Sequence, residues 1–273
     1  MSSFSNSFDK DFKEKRVIKV ITGISNTNVY QISKIAKAAE LANASYLDVV
    51  ANTQVVKFLK SFSSLPICVS SIETIDIYNC LAAGADIVEI GNYDFFYEKG
   101  IYLNSKQLIK LVNEIKNIAK NTLLCVTIPY YLDLNQQINL AQECESLGVD
   151  IIQTEGCYQS KTFKNLPLLS EPSISNSLST SLLSTYLISK YVDIPVITSS
   201  NVTNIFSHMA KFYGASGIGI GSAIRKQNTV YGMMQYIKQA QNSLVNTTAN
   251  LPFTISTDHD FITQNLLADT VIV

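Results

Sequence analysis

The sequence predicts an α/β protein that forms a single (β/α)8 TIM barrel, and three observations lead to this prediction. Eight short runs rich in β-branched residues are apolar almost throughout, which is typical of parallel strands buried on both faces. Segments of helical periodicity separate these runs, so strand and helix alternate at roughly 25-residue intervals. The chain has 273 residues, which suits a barrel of eight such units.

The strand-like runs follow one another in an unbroken order: RVIKVIT, YLDVVA, PICVS, DIVEIG, LLCVTIP, DIIQTEG, IPVITSS and GIGIG. Several helical segments end at a glycine, as in CLAAGADIVEI, SLGVDIIQ and FYGASGIGI, and glycine readily adopts the left-handed conformation that ends a helix. A doubly wound open sheet is the alternative. The barrel is favoured because polar residues lie inside the strands, where an open sheet would bury them against helices.

Both ends of the chain fall outside the eight units. Phe4, Phe8 and Phe12 recur every fourth residue, which predicts a short N-terminal helix with one apolar edge that covers the N-terminal end of the barrel. Residues 1–245 are expected to form the barrel with this helix. Residues 246–273 contain apolar residues but no further strand and helix, and they are predicted to be a C-terminal extension.

Composition excludes several classes of function. The chain has 21 basic and 22 acidic residues, so it lacks the excess positive charge on which nucleic-acid binding depends. No apolar run is long enough to span a membrane. The two histidines, His208 and His259, are far apart, which disfavours a histidine-rich zinc site or a Ser-His-Asp triad. We therefore predict no metal, no nucleic acid and no membrane partner.

The glycine-rich segment GASGIGIGSAI coincides with the eighth strand-like run. In barrels, the ends of strands 7 and 8 and a short extra helix commonly form a phosphate site. Gly219 and Gly221 would let backbone N–H groups approach an anion, and Ser222 would start the short helix. Ser199 and Ser200, after the seventh run, would donate from the other side. These five residues predict a site for a small phosphorylated ligand.

Other interpretations of these glycines stay open. A tight strand-to-helix turn without a ligand needs similar residues, and a single G-x-G is weak support for a phosphate site. The segments IPVITSS and YGASGIGIGSAI resemble the strand 7 and strand 8 motif of phosphate-binding barrels of the ribulose-phosphate-binding type, including thiazole synthase and several flavin mononucleotide enzymes. The flavin barrels carry two glycines where this chain has Ser200 and Asn201. We predict no cofactor, and flavin mononucleotide remains an alternative.

Charged residues lie in the middle of three strand-like runs. Lys19, Asp48 and Glu89 are expected to point into the barrel, because outward positions pack against helices. A buried charge needs a partner, so Lys19 and Asp48, on neighbouring strands, are predicted to pair. Either Lys19 is a Schiff-base nucleophile with Glu89 or Glu155 as general acid or base, or these residues form a salt-bridged network that only fills the barrel.

Two loops on the same side of the barrel add candidates. Glu155 ends the sixth run on the same face as Gln153 and is the fourth predicted catalytic residue. A long polar segment follows it up to about residue 177, and it either closes over a site or is a tolerated insertion. Residues 91–103 contain five aromatic side chains, for which packing of the loop is favoured over stacking on a ligand.

Seven segments together resemble a known family: KVITGISN, LDVVA, PICVSSIE, GADIVEIGNYDFFYEKG, LCVTIP, GVDIIQTEG and GIGIGSAI. From about Arg16 to Ile237 the chain closely resembles the family of hypothetical chloroplast reading frame twenty-three, found in algal plastids and cyanobacteria. The resemblance implies a barrel fold. Together with an amino-acid usage that an AT-rich genome would encode and the missing transit peptide, it implies a plastid-encoded protein kept in the stroma. It implies no activity and no catalytic residue.

These observations predict a barrel that binds a small phosphorylated metabolite, with a lyase, isomerase or synthase activity on it. The alternative from another class is a barrel that binds a metabolite and regulates a partner without turnover. A homo-oligomer is left open.

Overall fold

A computed structural model describes residues 6–23, 25–91, 93–156 and 174–245 of the chain. Within these residues, eight parallel strands form a closed barrel in which each strand pairs with the next and the eighth pairs with the first. The predicted (β/α)8 fold is confirmed. The strands are β1 (Val17–Ile21), β2 (Tyr46–Val50), β3 (Ile67–Ser71), β4 (Ile87–Ile90), β5 (Leu123–Ile128), β6 (Ile151–Thr154), β7 (Val196–Thr198) and β8 (Gly217–Ile220).

Helices alternate with the strands and surround the barrel. Short helices α5 and α10 are additional turns inside the connections that follow β4 and β8. None of the helices within the described ranges combines the length and apolar character needed to cross a membrane. The helices are α1 (Asn6–Lys13), α2 (Val29–Ala42), α3 (Thr53–Lys60), α4 (Thr74–Ala82), α5 (Asp94–Tyr97), α6 (Ser105–Ile118), α7 (Leu134–Ser146), α8 (Ile174–Ile188), α9 (Ser207–Phe212), α10 (Ser222–Arg225) and α11 (Val230–Val245).

Local signals in the sequence explain where many helices begin and end. Asn104 and Asp133 each accept a hydrogen bond from the third residue of α6 and α7, and the glutamine there bonds back to the cap residue. Gly84, Gly148 and Gly214 follow α4, α7 and α9 with φ of 103°, 79° and 97°. The predicted glycine caps are therefore confirmed.

The inside of the barrel has an apolar layer at its N-terminal end, which we call the floor. Alternate residues of the strands form it, and Phe8 of α1 packs against it from below, with its ring centroid 5.9 Å from that of Tyr46. The prediction that an N-terminal helix covers this end of the barrel is confirmed. The strand residues of the floor are Val17, Tyr46, Cys68, Ile87, Cys125, Ile151 and Ile197.

Two predictions about the chain ends fall on residues outside the described ranges. Phe4 is one of them, and residues 246–273 are the other. The proposed boundary after residue 245 coincides with the end of α11 at Val245. The division into barrel and C-terminal extension stays a prediction.

Truncation of the floor's cover should destabilise the barrel. Phe8 is 3% exposed, so Phe8→Ala removes a buried ring and is expected to lower the free energy of unfolding by about 3 kcal/mol in urea titrations. Phe62→Ala is the matched control, because Phe62 is 40% exposed, and it should cost less than half as much. Equal losses for the two variants would contradict the stabilising role that we assign to the burial of Phe8 against the floor.

Candidate functional site

Six polar side chains form a second layer inside the barrel, directly above the floor. Each lies two residues after a floor residue on the same strand and therefore faces the same way. All of them are more than nine-tenths buried. We call this group the Lys19 cluster, and its members are Lys19, Asp48, Ser70, Glu89, Thr127 and Gln153.

Lys19 lies at the centre of the cluster and is fully buried. Its Nζ is 3.0 Å from Oδ2 of Asp48 and donates to Oε2 of Glu89 and, at 2.8 Å, to Oε1 of Gln153. An ammonium has three N–H donors, so these three partners use all of them. The predicted pairing of Lys19 with Asp48 is confirmed, and Glu89 is a second counter-charge.

Gln153 and Thr127 close the network on the far side of Glu89. Gln153 donates from Nε2 to Oε1 of Glu89 at 2.9 Å and to Oγ1 of Thr127 at 3.0 Å. Thr127 donates its hydroxyl to the same Glu89 oxygen at 3.0 Å. The amide orientation follows from Lys19, because an ammonium cannot accept a hydrogen bond and must face the amide oxygen. Glu89 is held by three side chains of the cluster.

Asp48 is the less completely bonded of the two carboxylates. Ser70 donates to its Oδ1, and Lys19 contacts its Oδ2. Burial raises the pKa of Asp48 from 3.8 to about 6, against the opposing effect of Lys19 and with a further rise from the charge of Glu89. A carboxylate with such a pKa is largely ionised at neutral pH and remains able to take up a proton.

Lys19 is held as an ammonium. Burial lowers its pKa, but the charges of Asp48 and Glu89 outweigh burial, so the pKa lies well above its ordinary value. A Schiff-base nucleophile must lose this proton, which the surrounding carboxylates oppose. The geometry therefore favours a structural and electrostatic role for Lys19 over the nucleophilic role that the sequence left open.

Glu155 is separated from the cluster's hydrogen-bond network. Its Oε1 accepts from the hydroxyl of Tyr97 at 2.5 Å and from the backbone N–H of Tyr130 at 3.1 Å. These partners belong to the connections after β4 and β5, so Glu155 ties two loops together at the C-terminal end of the barrel. The long segment predicted to follow Glu155 lies mostly in residues 157–173, outside the described ranges.

The aromatic loop packs against its neighbour. The rings of Tyr97 and Tyr102 stack with centroids 5.2 Å apart, and Tyr97 meets Tyr130 and Tyr131 edge-on at 5.6 and 5.7 Å. Tyr131 donates its hydroxyl to the carbonyl of Leu103. These contacts support packing of the loop, the interpretation favoured from the sequence.

Strand β8 and the residue that follows it present only glycines to the interior, at positions 217, 219 and 221. A Cβ on Gly217 would lie 2.4 Å from Cβ of Val17, and a Cβ on Gly219 would lie 3.1 Å from Oγ of Ser199. Close approach to β1 thus requires the glycine at position 217 for packing alone, whereas a side chain at position 219 would be tight against Ser199 and Ile21. Gly219 is also the register partner of Lys19, which brings β8 level with the cluster.

Gly221 is the N-cap residue that precedes α10, and no side chain caps this helix. The first N–H groups of a helix have no partner within it, and they include those of Ser222 and Ala223. A Cβ on Gly221 would lie 2.8 Å from Nη1 of Arg225, which donates to the carbonyl of Ile21 at 3.1 Å. A guanidinium therefore lies beside the backbone N–H groups at this end of β8.

The turn after β7 has an unusual backbone. Ser200 and Asn201 have φ of 74° and 54°, the left-handed region that favours glycine. The chain therefore adopts, at two non-glycine residues in succession, a conformation that glycine adopts most easily. Ser199, which precedes them, is buried, and its carbonyl accepts from Oγ of Ser181 at 2.6 Å.

Helix α8 is attached to β6 and β7 through buried hydroxyl groups, which we call the hydroxyl seam. Thr185 lies 2.7 Å from Oγ1 of both Thr154 and Thr198, and Ser181 lies 3.2 Å from Thr154. Ser181 also bonds the carbonyl of Ser199 and thereby fixes the start of the turn after β7. Sequence reasoning missed these residues, because isolated Ser and Thr are common in both helices and strands.

Sequence reasoning also missed Ser70 and Thr127 of the Lys19 cluster. Their alternation with buried apolar neighbours was the available signal, since inward positions occur at every second residue of a strand.

Asp48, Cys68 and Glu89 each offer a ligand atom, and these atoms lie within 4.8 Å of one another. Because the Lys19 ammonium contacts both carboxylates and burial raises the pKa of the Cys68 thiol, the arrangement fits an ammonium better than a metal ion.

Removal of the central ammonium should destabilise the barrel far more than removal of a surface ammonium. Lys19→Met leaves two buried carboxylates without their counter-charge and is expected to lower the free energy of unfolding by about 3 to 5 kcal/mol. Lys60→Met is the matched control, because Lys60 lies 3.0 Å from Asp86 at the surface and should cost about 1 kcal/mol or less. Urea denaturation measures both, and similar losses would contradict the central role of Lys19.

Asp48→Asn should remove part of the pH dependence of stability. The pKa of Asp48 is raised to about 6 in the folded protein, so folding is opposed increasingly as pH rises from about 4 through 6. Asparagine imitates the protonated carboxyl, so the variant should match the wild type near pH 4 and exceed it by about 1 to 3 kcal/mol at pH 8. Asp76→Asn, on the exposed side of α4, should follow the wild-type curve. A constant difference between Asp48→Asn and the wild type at all pH values would be contrary to this expectation.

Solved structures of enzymes share the barrel fold. Thiamine phosphate pyrophosphorylase from Pyrococcus furiosus has a TM-score of 0.56 at 16% identity, over 86% of this chain and 98% of that chain. (S)-3-O-geranylgeranylglyceryl phosphate synthase from Thermoplasma acidophilum, in complex with its substrate sn-glycerol-1-phosphate, has a TM-score of 0.58 at 12% identity, over 88% of this chain and 99% of that chain. At these identities the similarity shows the fold alone.

Relatives with much higher identity come from algae. "Uncharacterized protein ycf23" of Antithamnion sp. is 45% identical over 246 residues, 88% of each chain. "Uncharacterized protein ycf23" of Porphyra purpurea is 39% identical over 242 residues, 89% of this chain and 90% of the relative. The family model described as "Protein of unknown function (DUF561)" matches residues 4–250. The chain therefore belongs to the DUF561 family, together with the ycf23 proteins of algal plastid genomes.

Proposed function

We propose that the protein binds a small phosphorylated metabolite, with the phosphate at the C-terminal ends of β7 and β8 and the remainder directed towards the Lys19 cluster. Asp48 is the general base of this proposal. The reaction class is that of a lyase, isomerase or synthase that moves a proton of the bound metabolite.

The observation that carries the phosphate assignment is the start of α10. Three features meet there: an uncapped helix N-terminus, an inward glycine at position 221 and the guanidinium of Arg225. Backbone N–H groups and guanidinium groups are both strong donors to phosphate oxygens. Ser199 and Ser200, across the strand pair, complete the set of donors expected from the sequence. A solved barrel of the same fold holds sn-glycerol-1-phosphate, which supports a ligand of this kind.

Asp48 is the preferred base on grounds of bonding and of proton affinity. Glu89 is bonded by Lys19, Thr127 and Gln153, whereas Asp48 has two partners in the cluster. The pKa of Asp48 near 6 suits a group that accepts and returns a proton at neutral pH. Lys19 acts as a positioning residue, because it contacts both carboxylates and its charge opposes the burial that raises the pKa of Asp48.

A second candidate function is metabolite binding without turnover. The bonding of Glu155 by Tyr97 and Tyr130, outside the Lys19 cluster, favours it. Glu89 is bonded by three side chains of the cluster, so Asp48 is the predicted catalytic carboxylate of the cluster with the most unused bonding capacity. A binding protein would show the same ligand affinity as the enzyme but no product. The stromal location and the absence of a flavin cofactor remain predictions beside either function.

Thermal-shift measurements test the phosphate site. Inorganic phosphate and sn-glycerol-1-phosphate should raise the melting temperature of the wild type, because a ligand that binds only the folded state stabilises it. Arg225→Ala should weaken the apparent affinity by about tenfold or more, as expected for loss of a charge-assisted hydrogen bond. Gly221→Asp should abolish the shift, because its carboxylate would occupy the anion position beside Arg225.

Lys226→Ala is the matched control, because it removes a neighbouring exposed cation, and its shift should stay within about twofold of the wild type. The melting temperature without ligand shows whether each variant folds. Unchanged shifts in both Arg225→Ala and Gly221→Asp would refute the phosphate site. Flavin mononucleotide serves as a further probe, and a shift with it but not with the two phosphates would favour the flavin alternative.

A further inference from the structure

The Lys19 cluster has no donor hydrogen left for a ligand. The ammonium of Lys19 has three partners, and both amide hydrogens of Gln153 are directed to Glu89 and Thr127. Thr127 donates its hydroxyl to Glu89, and Ser70 donates its hydroxyl to Asp48. Every N–H and O–H group of these six side chains is therefore used within the cluster.

Acceptor capacity remains, and it is concentrated on Asp48. A carboxylate has about four lone-pair positions, and Ser70 and Lys19 occupy two of those of Asp48. Glu89 has three side-chain partners in the cluster and is 2% exposed, whereas Asp48 has two and is 6% exposed. Of the two carboxylates, Asp48 thus has the larger exposed surface and the greater number of unused lone pairs.

The charge of the cluster acts in the same direction as its hydrogen bonding. One ammonium and two carboxylates leave a net negative charge when both acids are ionised. A second anionic group brought next to this buried charge would be repelled, and repulsion between like charges at a desolvated site is costly. A hydroxyl or an ammonium group would instead donate a hydrogen bond to Asp48 without adding negative charge to the site.

We infer that the end of the ligand opposite its phosphate presents hydroxyl or ammonium donors, so the substrate class is a hydroxylated phosphate monoester and not a phosphorylated carboxylic acid. The inference rests on the proposed phosphate site, and it names the chemistry that the other end of the same ligand must have. The protein's phosphate site supplies positive charge and N–H donors, whereas the Lys19 cluster supplies negative charge and acceptors. The ligand is therefore bound in one orientation.

Matched pairs of ligands test the inference by calorimetry or thermal shift at pH 7.5. sn-Glycerol 3-phosphate is compared with 3-phosphoglycerate, and glucose 6-phosphate is compared with 6-phosphogluconate. In each pair the second compound carries a carboxylate on an otherwise similar phosphate ester. We expect at least one ester without a carboxylate to bind about tenfold or more tightly than its carboxylate partner and more tightly than inorganic phosphate. Asp48→Asn, which adds an amide donor and removes a charge, should reduce this preference to about threefold or less, whereas Asp76→Asn should preserve it.

The outcomes separate this inference from the proposed function. If neither inorganic phosphate nor any of the four esters binds, the phosphate site itself is wrong. If inorganic phosphate binds but neither ester without a carboxylate binds more tightly than inorganic phosphate and than the matching carboxylate ester, the phosphate site stands and the inference is overturned. A preference that survives Asp48→Asn unchanged also overturns it, because the preference would then arise outside the Lys19 cluster.

Discussion

A fully buried ammonium must be surrounded by acceptors, and the interior of this barrel is arranged to meet that requirement. Lys19 is out of contact with solvent, and three strands besides its own supply the two carboxylates and the amide that bind it. Thr127 and Ser70 then bind the carboxylates. Below this layer the floor and Phe8 exclude water from the N-terminal end of the barrel. The cluster therefore depends on barrel closure, since its members are adjacent only when the strands are in register.

Electrostatic polarity between two parts of the interior follows from this arrangement. The Lys19 cluster carries an excess of negative charge, whereas the start of α10 carries the N–H groups of Ser222 and Ala223 and the guanidinium of Arg225. Between them, β8 supplies backbone and no side chains. In the proposed function, a phosphate ester spans these regions, and Asp48 acts on the part of the ester that lies furthest from its charge. In the same proposal Lys19 does not contact the ligand, and its charge opposes the burial that raises the pKa of Asp48.

The fold was predictable because strand burial, helix periodicity and glycine caps all indicate the same architecture. The pairing of Lys19 with Asp48 was also predictable, because two adjacent strand-like runs each carry one inward charge of opposite sign. Ser70 and Thr127 were not singled out, because their alternation with apolar neighbours indicates an inward position but does not by itself distinguish a site residue from an ordinary small residue in a strand. Glu155 was expected to face a ligand, and its bonds to Tyr97 and Tyr130 arise from loops distant in the sequence. Contacts of that kind depend on how loops pack, which periodicity does not encode.

The hydroxyl seam gives α8 a different attachment from that of a helix held by apolar contacts. Apolar faces tolerate small slips, because one methyl group can replace another. Here a displacement of one residue would separate Thr185 from Thr154 and Thr198 and would leave buried hydroxyls unpaired, at about 1 to 3 kcal/mol each. The axial position of α8 is therefore discrete. Through Ser181, which bonds the carbonyl of Ser199, the position of α8 also fixes the start of the turn after β7.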